Sequence, residues 1–200
     1  MVDGGFFKKE FAAVKSRDPS SLEVEQFCQK LAAFTQASDQ LLRIYYYDSQ
    51  PIKLDVKKPI SQQPLNLASV PTYLPNVNRI ARLKQTDSFA VREGRVVFRG
   101  WKLKKSSIGK PSASLTDADF SPDIQQKGVD MKIGLDIAWI SYCKIVEKII
   151  VVTGDSDFIP AFKLARRNGI QVHLFTLGHG APTELLDHAD FLEKKTIDQF

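Results

Sequence analysis

Hydrophobic and polar positions change period several times along the chain, and each change marks an element. Residues 149–153 are an unbroken apolar or β-branched run, the pattern of a buried strand. Gly154 allows a tight exit. Residues 158–167 then take helical spacing, with Phe158, Ile159, Phe162, Leu164 and Ala165 as packing residues. Asn168-Gly169 closes that helix, and residues 170–175 form the next strand. Upstream, Val24, Phe27, Cys28, Leu31 and Phe34 recur at helical spacing behind a Pro19-Ser20-Ser21 start. Residues 42–47 read as a strand and 76–86 as a helix carrying Ile80 and Leu83. Residues 88–91 and 96–103 read as two strands joined at Glu93-Gly94 in a hairpin. Met131, Leu135, Ala138 and Tyr142 share one helical stripe, widened by Ile137 and Ile140. A short helix at 183–188 follows. The order β-α-β, excursion, hairpin, α-β-α-β-α predicts a parallel sheet covered by helices on both faces.

The opening residues, Val2-Asp3-Gly4-Gly5-Phe6, predict the end of a strand and then a turn. Only two residues precede the acid, where a central strand usually has about five. The natural chain is therefore expected to begin upstream of Met1. Residues 48–74, with four prolines and little periodicity, read as a surface excursion. Residues 106–126, rich in Ser, Pro and Asp, read as a linker.

Bulk properties narrow the class. The 200 residues, 43% hydrophobic, suit one domain with a real core. Cys28 and Cys143 show neither metal-ligand spacing nor a disulfide framework, which suggests a reducing compartment. No apolar run reaches membrane-spanning length and no signal-peptide pattern opens the sequence, so a cytoplasmic location is expected. The net charge of +5 permits a nucleic-acid partner. Its distribution says more. Arg92, Arg95, Arg99, Lys102, Lys104 and Lys105 crowd the hairpin, with Trp101 among them. Such a patch attracts phosphates, and an exposed tryptophan can stack on a base.

Three acids fall where a doubly wound sheet can gather them. Asp3 ends a strand, Asp130 opens a helix and Asp155 follows the run at 149–153. Like charges in one cleft raise each other's pKa unless a cation compensates. Magnesium or manganese suits an all-oxygen set and can activate a water for attack on phosphorus. Asp157 can cap the following helix or join the metal through a water. Asp136 lies about 120° around the helix from Asp130 and about 9 Å along it, so the two cannot easily share one ion. Asp136 is left to pair with a basic residue or to reach a substrate water. Thr153 and Ser156 can orient the ligands or bind phosphate, Lys127 can neutralise phosphate, and His179, in a glycine-rich loop, is a further phosphate candidate. No phosphate-binding glycine motif and no zinc ligand cluster occurs.

Val2-Asp3-Gly4, Lys127-Gly128-Val129-Asp130 with Asp136, and Thr153-Gly154-Asp155-Ser156-Asp157-Phe158 together resemble the NYN domain, in its LabA-like branch of the PIN-like nuclease superfamily. The likeness extends to Tyr45-Tyr46-Tyr47-Asp48, residues 94–100, Leu177-Gly178-His179 and His188-Ala189-Asp190. It implies a three-layer α/β, Rossmann-like PIN-type fold with a central mainly parallel sheet and an inserted basic β-hairpin. It implies one domain over residues 1–200, variable at about 48–126. It also implies divalent-metal-dependent hydrolysis of RNA, expected to be single-stranded, with Mg2+ or Mn2+ as cofactor. Asp3, Asp130 and Asp155 match the metal-binding core, Asp157 a commonly acidic neighbour and Asp136 the further helix acid. The family often has Asn two or three residues after the first acid, where this chain has Gly5 and Phe6. Two other readings compete. One is an RNA-binding module with little or no turnover. The other is a phosphatase of the haloacid dehalogenase type, disfavoured because Gly5 stands where its second acid is required. The hairpin is also a candidate surface for a homodimer.

Overall fold

Residues 1–34 and 39–200 are described by the computed structural model. The first strand, β1 (Val2–Asp3), runs without a loop into helix α1 (Gly4–Lys15). Gly4 permits this passage, because a Cβ there would stand 2.5 Å from the Tyr47 carbonyl oxygen and push the helix off the sheet. Helix α2 (Ser21–Ala32) opens on a capping box between Ser20 and Glu23. Strand β2 (Ile44–Asp48) follows, then a short antiparallel pair, β3 (Asp55–Lys57) and β4 (Pro64–Asn66). Helix α3 (Tyr73–Leu83) and strand β5 (Phe89–Glu93) come next. Strands β6 (Arg95–Leu103) and β7 (Phe120–Lys127) pair with each other. The chain finishes with α4 (Val129–Tyr142), β8 (Lys148–Val152), α5 (Ile159–Arg167), β9 (Gln171–Phe175), α6 (Thr183–Leu186) and β10 (Phe191–Glu193).

Six strands make one sheet in the order β10-β9-β8-β1-β2-β5, and every neighbouring pair in it is parallel. The strands are covered on both faces, which is why their sequences run apolar rather than alternating. Successive residues feed opposite cores. Tyr47, Val151 and Leu174 join Ile133, Ile137 and Phe162 on the face of α4 and α5. Tyr46, Val152 and Phe175 join Phe7, Phe27 and Leu83 on the face of α1 to α3. Burying a side chain of this size contributes roughly 1.5–3 kcal/mol, so both layers hold the sheet.

Several expectations are corrected by the backbone. No turn follows Asp3; α1 does, and Phe7 and Phe11 face the core one helical turn apart. The two glycines, poor helix formers in isolation, disguised it. Residues 88–91 and 96–103 do not form a hairpin. β5 is the parallel edge of the main sheet, and β6 turns away to pair with β7, inside the stretch read as a linker. The hairpin is thus β6–β7, and α3 and β5 within 48–126 belong to the main layers. Gly100, at φ +106°, marks the register shift in β6 between Phe98 and Trp101. Of the apolar stripe read on α4, Met131, Leu135 and Tyr142 are exposed, while the Ile137 and Ile140 that widen it are buried together with Val129 and Ile133.

Candidate functional site

The chain leaves β1 over one face of the sheet towards β2, and leaves β8 over the other face towards β9. The two departures diverge, opening a crevice at the C-terminal ends of β1 and β8. Ligands bind at this position in open α/β sheets. Val2 is level with Val152 and Asp3 with Tyr47, so Asp3 and the turn carrying Asp155 share this edge. α4 brings Asp130 there in its first turn.

Asp3 and Asp130 both sense neighbouring carboxylates. Burial first, and then the charges of Asp130 and Asp155, push the Asp3 carboxyl up to about 6, against the lowering effect of amide hydrogen bonds from Phe6 and Gly5. Asp130 is also raised, by burial and then by Asp155 and Asp157. Asp155 Oδ1 accepts from the Asp157 amide at 2.9 Å, and the Asp155 amide donates to Thr153 Oγ1 at 3.2 Å. The cap of the following turn is therefore Asp155, a role the sequence left open to Asp157, and Thr153 fixes the bend. Asp157 is exposed and Ser156 half-buried beside it. Among the described residues no group of three His, Cys, Asp or Glu side chains is close enough to cage a metal ion. The donor chemistry, all carboxylate and open to solvent, fits a hard cation that keeps several waters and takes one or two protein oxygens directly.

Asp136 is turned elsewhere. It accepts from the Tyr47 hydroxyl at 3.0 Å and pairs with Arg92 Nε at 3.1 Å. Burial first, and then the charge and hydrogen bond of Asp136, raise the Tyr47 phenol. Lys127 is exposed at the end of β7. His179 stands edge-on to Phe6, with its Nδ1 buried and without a hydrogen-bond partner among the described residues. A Cβ on Gly154 would meet that nitrogen at 3.4 Å, so His179 lies against the Asp155 turn.

Two residues to which the sequence assigned no role in the site support the edge. Asp48, fully buried at the end of β2, accepts from Lys8 Nζ at 2.7 Å, the Ser49 amide at 2.8 Å and Gln126 Nε2 at 3.1 Å, with Arg79 at 3.5 Å. Lys8 and Arg79 neutralise it. Gln126, held by its amide nitrogen, turns its oxygen towards Asp3. A Cβ on Gly5 would meet Gln126 Oε1 at 3.2 Å and Asp3 Oδ1 at 3.3 Å, so both oxygens flank the same bare backbone. Gln126 lay in the supposed linker, and no periodic signal singled it out.

The basic residues decorate the hairpin rim. Arg95, Arg99, Lys102, Lys104 and Lys105 are exposed. Lys104 Nζ donates to the Ala118 carbonyl at 2.7 Å, and Lys102 stands 3.8 Å from Asp123. Arg92, on β5, is engaged with Asp136 and lies over the Tyr45 ring. Trp101 is half-buried, with its indole N–H on the Lys57 carbonyl at 2.9 Å and its ring against Phe98. It pins the hairpin to β3 instead of offering a free face.

Comparison with known proteins adds to this geometry. Residues 97–193 match the NYN domain. The NYN match includes Asp130, Asp155 and Asp157 and the strands β8 and β9; Asp3 lies before it. An uncharacterized protein of Methanocaldococcus jannaschii is 27% identical over 101 residues, 50% of this chain and 42% of that protein. The chain thus spans less than half of that relative's length. A crystal structure of a protein of unknown function from Vibrio parahaemolyticus aligns over 96% of this chain and 87% of its own, with a TM-score of 0.53 and 14% identity. At that identity the likeness concerns the fold alone. No described helix is long and apolar enough to cross a membrane.

Proposed function

We propose that the chain is a divalent-metal-dependent ribonuclease, built as a single NYN-type domain of the LabA-like branch over residues 1–200. The observation that carries the proposal is the gathering of Asp3, Asp130 and Asp155 at the sheet's switch point, close enough for each to raise or be raised by another. The NYN match over residues 97–193 supports a nuclease-type role. Asp3, Asp130 and Asp155 would hold Mg2+ or Mn2+, one or two of them directly and the rest through water, and the ion would supply a more acidic water and neutralise charge on the phosphoryl group. The Asp157 amide holds the Asp155 carboxylate, and Thr153 fixes the backbone bend that carries it. Gln126 supplies an amide oxygen beside Gly5 and Asp3, near where the family pattern often has an Asn that this chain lacks. Asp157 lies at the mouth, within reach through a water. Arg95, Arg99, Lys102, Lys104 and Lys105 draw the RNA backbone along the hairpin rim, and His179, Ser156 and Lys127 are nearer phosphate contacts. Positioning and preorganised charge supply most of the rate in such a site.

Asp155→Asn tests this reading. Asn caps a helix as well as Asp, so the fold should persist. Manganese-stimulated cleavage of single-stranded RNA by the purified variant should fall at least 100-fold. Equal rates for variant and parent would contradict it. RNA binding without cleavage by the parent protein would favour the binding-module reading.

A further inference from the structure

Helix α4 is apolar on both sides. Its buried side is Val129, Ile133, Ile137 and Ile140. Its outer side carries Met131, Leu135, Trp139 and Tyr142, which are 71%, 62%, 63% and 77% exposed. At 100° per residue these four, with Gly134 and Ala138, cover an arc of about 140°. No Asp, Glu, Lys, Arg or His side chain falls within it. Lys132 and Asp136 lie outside the arc and are engaged with the Glu93 carbonyl and with Arg92. A continuous exposed apolar strip of this kind marks a docking surface rather than scattered surface hydrophobes.

We infer that a second copy of this chain covers the strip, α4 against α4 in antiparallel two-fold packing. The area is of the right order. With large side chains offering about 150–250 Å2 each, the four present roughly 600 Å2 per copy, against about 800 Å2 per partner in a standard interface. Ile145, 48% exposed just past the helix, lengthens the strip. The sequence is also self-complementary about the helix centre. Antiparallel pairing there sets Met131 opposite Tyr142 of the second copy, and Leu135 opposite its Ala138, a large residue into a small one. Each contact then occurs twice, as a two-fold interface requires. Reversal also opposes the helix dipoles. RNA would need cations along this face, and the arc has none. The interface is distinct from the β6–β7 hairpin and does not depend on the nuclease reading.

Sedimentation velocity of the full chain, from about 1 µM to 500 µM without added metal, tests the inference. The parent should pass from 22.5 kDa monomer to dimer, with a dissociation constant on the order of micromolar. Leu135→Glu combined with Tyr142→Glu should weaken dimerisation at least 100-fold while the far-UV circular dichroism is unchanged, since both positions are exposed. Met131→Lys supplies an independent variant should the double one fold poorly. A parent that stays monomeric throughout, or a dimer indifferent to these substitutions, would overturn the inference.

Discussion

Asp3 combines two demands that pull against each other. Its carboxylate caps α1, which favours the charged form, yet it is buried beside Asp130 and Asp155, which favours the neutral form. The second wins, and the carboxyl is held at about 6 against an ordinary value of 3.8. The sign for stability follows. Well below about pH 4 the carboxyl is protonated in folded and unfolded chains alike and nothing is lost. As pH rises from 3.8 to about 6 the unfolded chain ionises while the folded one still holds its proton, so metal-free stability falls, by roughly 3 kcal/mol in all, and levels off above that. In Asp3→Asn, which keeps the cap, that fall should vanish. Urea melts in a chelator at pH 4 and pH 8 measure it, and parallel profiles for variant and parent would count against the buried site. Asp48 obeys the opposite logic. Its charge is matched by Lys8 and Arg79, and Arg79 is only 3% exposed. Asp48→Ala should therefore destabilise by about 3–5 kcal/mol, because it strands a buried guanidinium. A thermal-melt loss under about 1 kcal/mol would contradict that role. Asp3, Asp130 and Asp155 were legible in the sequence because each sits at a strand end or helix start. Asp48 and Gln126 were not, because their partners come from 40 and 78 residues away.

At the scale of elements, local signals succeeded where a capping residue or an unbroken apolar run decided the outcome. The run at 149–153 became β8, and Ser20 with Glu23 capped α2. They failed where pairing is chosen over a distance. Glu93-Gly94 looks like a hairpin turn, yet β5 finds a parallel partner in β2 and β6 an antiparallel one in β7. On α4 the apolar pattern joined exposed Met131, Leu135 and Tyr142 with buried Ile137 and Ile140, since both faces are apolar and only tertiary packing chooses between them. The corrected hairpin still carries the basic residues outward. Charge reversal at Arg99 and Lys102 should weaken RNA binding more at low salt than at high salt. It should also reduce the slope of log affinity on log salt by about 1.4, because each single-strand phosphate contact contributes about 0.7. Filter-binding titrations between 50 and 200 mM salt, taken as about the informative range, read this out. An unchanged slope would remove those side chains from the RNA path.

Over the whole molecule, the doubly wound sheet explains why acids so distant in sequence meet. Strands β1 and β8 are neighbours, yet their following segments leave over opposite faces, and the crevice between them collects whatever residues follow each strand. The parallel, two-sided arrangement was readable from the alternation of strand and helix patterns. The tight passage from β1 into α1 was not, because it rests on the close approach of Gly4 to β2. The NYN match reaches Asp130 and Asp155 but not Asp3, so the three-acid site is a claim about the assembled fold. A manganese titration followed by electron paramagnetic resonance tests that claim most directly. The parent chain should bind Mn2+ at neutral pH, and Asp3→Asn, Asp130→Asn and Asp155→Asn should each weaken binding at least tenfold without loss of helix signal. Failure of the parent to bind manganese at millimolar concentration, or variants that bind as tightly as the parent, would contradict it.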